Sequence, residues 1–180
     1  MARIRVLGFE EQRSLLAAAV ARASGTGGRA SLRLSSKMYF SDSDIELIEG
    51  NRSLAASLNR TLSNLGKRFV DAIRKVIVQR GTIRTRLFLT GWKERRVKEG
   101  STVNTAVEIY NETPYSLYVH PKGTPKSRTV FNVDIVGGLL PRFRVELGED
   151  IDRLRPQIAR ALKADILARA GGRRGRGRAR

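Results

Sequence analysis

The stretch SLAASLNRTLSNLGKRFVDAIRKVIVQ, residues 53–79, decides how this chain is read. Leu54, Leu58, Leu62, Leu65, Phe69, Ile73, Val76 and Ile77 recur in it at spacings of four, four, three, four, four, three and one. Such spacings put the apolar side chains on one face of a helix. The stretch therefore reads as one amphipathic helix from about Ser53 to Gln79, capped by Asn51 or Ser53. At 1.5 Å per residue it runs about 40 Å. Gly66 inside it costs up to about 1 kcal/mol unless close packing uses it. The far end carries Arg74, Lys75 and Arg80, which suits the negative end of a helix dipole.

Working toward the N-terminus, Ala2–Val6 alternates and reads as a short strand. Phe9–Ala23 reads as a helix with Leu15, Leu16, Ala19, Val20 and Ala23 on one face, ended by Ser24–Gly28. Ala30–Ser35 reads as a strand. The acidic stretch Ser41–Gly50 reads as a loop or a single helical turn.

Toward the C-terminus the period changes to two after Gly81. Arg84–Leu89 reads as extended. Val103, Thr105, Val107 and Ile109 mark a strand, and Asn111–Pro114 a turn. Pro121–Lys126 is a loop. Thr129, Phe131, Val133 and Ile135 alternate again, as do Phe143, Val145 and Leu147. A last helix carries Leu154, Ile158, Leu162 and Ile166 on one face, with Pro156 in its first turn, where proline is tolerated.

Strands segregated from helices imply an α+β fold. The expectation is an antiparallel sheet of about four to five strands packed against the long amphipathic helix and a C-terminal helix. It forms one domain over residues 1–170, with 24–52 as an inserted loop and 171–180 as a basic Gly/Arg tail.

Composition narrows the chemistry. The 180 residues hold 35 Lys+Arg against 17 Asp+Glu, a formal net charge of +18. There is no cysteine, which excludes disulfides, zinc–thiolate sites, iron–sulfur clusters and thiol nucleophiles. The single histidine, His120, excludes a His-pair metal site. No apolar run reaches the ~20 residues of a membrane span, and Met1–Gly8 lacks the apolar core of a secretory signal. The expectation is a soluble, non-secreted, basic protein with no cofactor.

The positive charge is unevenly placed. Lys67–Lys98 holds eleven basic residues and two acids, and the tail holds Arg173, Arg174, Arg176, Arg178 and Arg180 with no acid. Arg84, Arg86, Lys93, Arg95, Arg96 and Lys98, with the tail arginines, are the candidate contacts to DNA or an acidic partner. Opposite in sign are Asp42, Asp44, Glu46 and Glu49. Two patches of opposite sign suit head-to-tail docking between copies. Trp92, Tyr115, Tyr118, Asp42 and Asp44 are the candidate subunit contacts. Trp92 beside a basic run reads as a core or interface anchor in preference to a base-stacking residue.

Catalytic signals are weak. His120 has no nucleophile motif beside it and reads as a surface or turn residue. Gly25-Thr-Gly-Gly28 lacks the Lys-Ser/Thr of a phosphate loop. Ser41-Asp-Ser-Asp44 lacks the glycine and glutamate of a calcium loop. No catalytic, cofactor or metal residue is assigned, and the expectation is a protein without enzymatic activity.

Several of these segments together resemble a known family. They are Ile4-Arg-Val-Leu-Gly-Phe-Glu-Glu11 before a helix, the long helix, Thr90-Gly91-Trp92, and Asn111-Glu-Thr-Pro-Tyr115-Ser-Leu-Tyr118-Val119-His-Pro-Lys-Gly123-Thr124. Pro141-Arg-Phe143 then precedes a final helix. This order is similar to that of the small tail-completion and head–tail joining (neck) proteins of tailed bacteriophages. The likeness spans most of the chain after Ser53 and the first 23 residues. The chain departs from the pattern by having no proline before Thr90-Gly91, and by having His120 where an acidic residue is usual.

The resemblance implies a structural virion protein without catalysis. It would be one subunit of a six- or twelve-fold ring at the neck or tail end. It would contact portal, adaptor, tail-terminator or tail-tube proteins and the packaged DNA, and pass through the host cytoplasm during assembly. The alternative is a free-standing DNA- or RNA-binding protein.

Overall fold

The computed structural model describes residues 29–82 and 85–172, with side chains through residue 168. The strand expected at Ala2–Val6, the helix expected at Phe9–Ala23, Arg84 and the tail arginines lie outside the described residues. In chain order the elements are β1 (Ser31–Ser35), a 3-10 turn (Lys37–Tyr39), α1 (Asp42–Gly50) and α2 (Arg52–Gln79). Then come α3 (Arg86–Thr90), β2 (Trp92–Val97), β3 (Ala106–Asn111) and a second 3-10 turn (Ser116–Tyr118). A π-helix (Phe131–Leu139) runs directly into α4 (Leu140–Gly172).

The long helix forms as its spacing requires. Asn51 caps α2, its Oδ1 accepting from the backbone N–H of Ser53 at 3.0 Å and of Leu54 at 3.2 Å. Leu54, Leu58, Leu62, Leu65, Phe69, Ile73 and Ile77 are all buried. Gly66 is buried on the same helix.

The sheet has three strands in the order β1-β3-β2, which corrects the expectation of four to five. It is antiparallel. Asn111 N–H donates to the Ala30 carbonyl at 2.9 Å and Ser36 N–H to the Thr105 carbonyl at 2.8 Å. That register sets Arg33 opposite Glu108, and the two form an ion pair at 4.0 Å. The central strand β3 is buried from Ala106 through Ile109 without alternation, as a strand covered on both faces should be. Ala30–Ser35 is a strand as expected, whereas the Val103–Ile109 strand begins only at Ala106.

The other two expected strands are helical. Thr129, Phe131, Val133 and Ile135 do alternate, but the buried residues are Val130, Phe131, Asp134 and Ile135, a helical set. The π-helix shows its wider turn where Leu140 N–H donates to the Ile135 carbonyl, five residues back. Phe143 and Leu147 belong to a longer series, Leu140, Phe143, Leu147, Ile151, Leu154 and Ile158, all buried. Its spacings of three and four make one helix of 33 residues. Pro156 therefore lies in the helix interior and not in its first turn.

Three smaller segments also differ from expectation. Within Ser41–Gly50, the nine residues Asp42–Gly50 form α1, held by a reciprocal capping box at Ser41. Asp44 N–H donates to Ser41 Oγ at 3.2 Å, and Ser41 N–H to Asp44 Oδ2 at 3.0 Å. Arg84–Leu89, expected as extended, holds the start of α3, where Thr85 Oγ1 accepts from Phe88 N–H at 3.2 Å. The basic run after Trp92 is the strand β2.

Two compact units share these elements. Among the described residues, one comprises 29–33, 67–82, 85–94 and 108–141; the other comprises 34–66, 95–107 and 142–172. In the first, Phe69, Ile73, Ile77, Phe88, Trp92, Ile109 and Ile135 are fully buried. In the second, Leu58, Leu62, Leu65, Ile48 and Phe143 are. There, Tyr39 donates its hydroxyl to the Arg144 carbonyl at 3.0 Å.

Candidate interaction surfaces

Thr90-Gly91-Trp92 lies where α3 hands over to β2. A β-carbon on Gly91 would lie 2.7 Å from Asn111 Oδ1 and 2.8 Å from the Leu87 carbonyl. Glycine is thus required by close approach. Asn111 is fully buried and uses both ends of its amide. Its Nδ2 donates to the Phe88 carbonyl at 2.9 Å, and its Oδ1 accepts from Thr113 N–H at 2.9 Å and from the Thr113 hydroxyl. Glu112 N–H donates to the Gly91 carbonyl at 3.0 Å, and Lys93 Nζ meets Glu112 Oε2 at 2.7 Å. The Glu112 carboxylate holds the Lys93 ammonium above the usual lysine range.

Trp92 is a core residue. It is wholly buried, and its ring meets Phe88 edge-on with centroids 6.1 Å apart. Arg74 Nη2 donates to the Trp92 carbonyl at 2.9 Å. Tyr115 and Tyr118 are on the surface. The Tyr115 hydroxyl shares a hydrogen bond with Thr85 Oγ1, and Tyr118 is 65% exposed.

The candidate cations are exposed, as a contact surface requires. Arg86, Lys93, Arg95, Arg96 and Lys98 all face solvent. Among the described residues β2 is an edge strand. Lys93, Arg95 and Arg96 therefore also block edge-to-edge pairing with another chain. The acidic patch is thinner than the sequence implies. Asp44 is spent on the α1 cap. Glu49 accepts from Ser101 Oγ at 2.6 Å and Thr102 N–H at 2.7 Å. Those bonds, the Ser101 hydroxyl first, hold its carboxyl below the usual range. Asp42 and Glu46 remain exposed.

Comparison with family models, with curated proteins and with solved structures finds no match. The resemblance to phage neck proteins therefore rests on its motifs alone.

Among the described residues, His120 Nδ1 lies 3.4 Å from the Arg128 carbonyl, and no acid is paired with the ring. Among the described residues no group of three His, Asp or Glu side chains is placed to hold a metal, and no helix is long and apolar enough to cross a membrane. An open groove of about 550 Å³ is lined by Arg74, Lys75, Val78, Gln79, Leu89 and Thr90. It offers cations and apolar surface, with no acid or histidine in its lining.

Two features escaped the sequence reading. One is the buried Asp134 on the π-helix, paired with Arg80 Nε at 3.3 Å. Its Oδ2 is buried with no hydrogen-bond partner among the described residues. Burial pushes its carboxyl up, against a smaller lowering by Arg80. Nothing in the local sequence marks it, since Asp134 stands at an ordinary polar position in an apparent strand. The other is the set of exposed cations, Lys122, Lys126 and Arg128, on the loop that the sequence did mark at Pro121–Lys126. Its signal was the absence of any Asp or Glu from residue 113 through residue 133.

Proposed function

We propose that this chain is a non-catalytic structural subunit of a ring at the neck or tail end of a tailed bacteriophage. One observation carries the reading. Thr90-Gly91-Trp92 and Asn111-Glu-Thr113, two of the segments on which the resemblance rests, lock together through Gly91, Asn111 and the Lys93–Glu112 pair. Segments that specify a fold behave this way, whereas a reaction centre would project reactive groups into a cleft. In this reading the partners are other copies in a six- or twelve-fold ring, the flanking portal, adaptor, tail-terminator or tail-tube proteins, and packaged DNA passing a basic face.

The test is to purify DNA-filled particles in high salt and quantify the chain by mass spectrometry. A fixed, small copy number per particle is expected. Absence from particles, with recovery in a nucleic-acid fraction, overturns the reading. It would favour the alternative, a free-standing nucleic-acid-binding protein, which the exposed cations on α3 and β2 support.

A further inference from the structure

We propose that the loop 120–128, together with Tyr118, is a binding site for single-stranded nucleic acid. The site goes beyond the ring reading and belongs to the subunit whether or not it sits in a particle. From residue 113 to residue 133 the chain has no acid, yet it carries Lys122, Lys126 and Arg128. All three are exposed, and none makes an ion pair among the described residues. By contrast, Arg74, Arg80 and Lys93 of the same compact unit are each paired with an acid.

The loop is shaped before any ligand arrives. Its base is closed by Val130 N–H donating to the Val119 carbonyl at 2.8 Å, and Val119 is buried. Two successive turns fill it. Thr124 N–H donates to the Pro121 carbonyl at 3.2 Å, and Arg128 N–H to the Pro125 carbonyl at 2.9 Å. Gly123 takes the positive φ of 79° that the first turn needs. Pro121 and Pro125, the first residue of each turn, have φ fixed by their own rings. Little backbone ordering entropy remains to be lost when three cations meet a chain of phosphates.

Tyr118 selects the kind of polyanion. The residue is 65% exposed at the root of the loop. An exposed aromatic beside free cations can stack on a base while the cations meet the backbone. Duplex DNA hides its base faces, and an acidic peptide offers no flat surface of that kind. The chemistry therefore favours an unpaired strand.

The experiment uses the full chain, its Arg/Gly tail present in every variant, and fluorescence anisotropy of a labelled 20-nucleotide oligothymidylate over a salt series. For Lys122→Ala/Lys126→Ala/Arg128→Ala the slope of log K against log salt should become shallower by about 2, three contacts at about 0.7 each. Tyr118→Ala should weaken binding of the strand roughly ten-fold, the scale of one lost stacked base. Tyr118→Phe should bind as the wild type, and Tyr118→Ala should leave duplex binding unchanged. Unchanged thermal midpoints check that all variants fold. A wild-type salt slope in the triple variant overturns the site. So does an equal loss of duplex binding in Tyr118→Ala, or competition by polyglutamate as strong as by unlabelled oligothymidylate.

Discussion

Gly91 shows how a single position can decide a junction. A methyl group there meets an amide oxygen at 2.7 Å and a backbone carbonyl at 2.8 Å, and the amide is already committed to three hydrogen bonds. Gly91→Ala should therefore destabilise the chain by about 1–3 kcal/mol, the usual range for overpacking. A lowered midpoint in urea unfolding would register it. Asp134 gives the residue-scale prediction for pH. Its carboxyl titrates higher in the folded chain than in the unfolded one, so the folded state holds its proton more firmly. The stability this confers is fully present below the ordinary aspartate pKa and is lost as pH rises through the elevated value. The thermal midpoint of Asp134→Asn minus that of the wild type should thus grow more positive as pH rises from about 4 toward neutrality. A difference that stays flat, or falls, would show that Arg80 fully compensates the buried charge.

Among the elements, α2 was legible because an unbroken series of threes and fours left no competing period. The segments from Thr129 to Leu147 were not, because short runs fit both periods. Phe143, Val145 and Leu147 alternate like a strand, yet Phe143 and Leu147 also continue the helical series toward Ile151, Leu154 and Ile158. The two readings differ on Val145. A strand would point it inward with its neighbours, whereas α4 leaves it 63% exposed and buries Leu147. Leu147→Ala should cost about 2–5 kcal/mol, while Val145→Ala should stay within about 0.5 kcal/mol. Urea denaturation of the two variants checks it, and comparable losses in both would restore the strand. Lys93–Val97 was missed as a strand because its side chains are mostly charged. Charge is what an edge strand carries to stay unpaired, so the local sequence looked like a solvated run. The surface was partly legible in the same way. The cations at 86 and 93–98 are exposed, Trp92 is buried as a core anchor would be, Asp44 is spent on the cap that Ser41 opens, and the bonds of Glu49 to Ser101 and Thr102, 52 and 53 residues on, leave no local signature.

For the whole molecule, the governing quantity is the net charge of +18. Copies of such a chain repel one another, and only Asp42 and Glu46 of the α1 acids remain exposed and uncommitted to offset that repulsion. Charge attraction between copies is then a small term, and self-association must come from other contacts working against the net field. Salt shortens that field to about 8 Å at 0.15 M and about 3 Å at 1 M. Added salt should therefore promote assembly of the purified chain, whereas it should weaken nucleic-acid binding through loss of counterion release. Sedimentation velocity on nucleic-acid-free protein at about 0.05 M and 0.5 M salt separates the two tendencies. A larger sedimentation coefficient at high salt is the expected result. A decrease would mean that ion pairs between copies dominate. Reversing Asp42 and Glu46 to lysine would then abolish the larger species at low salt, whereas under net repulsion it would only raise the salt needed to form them.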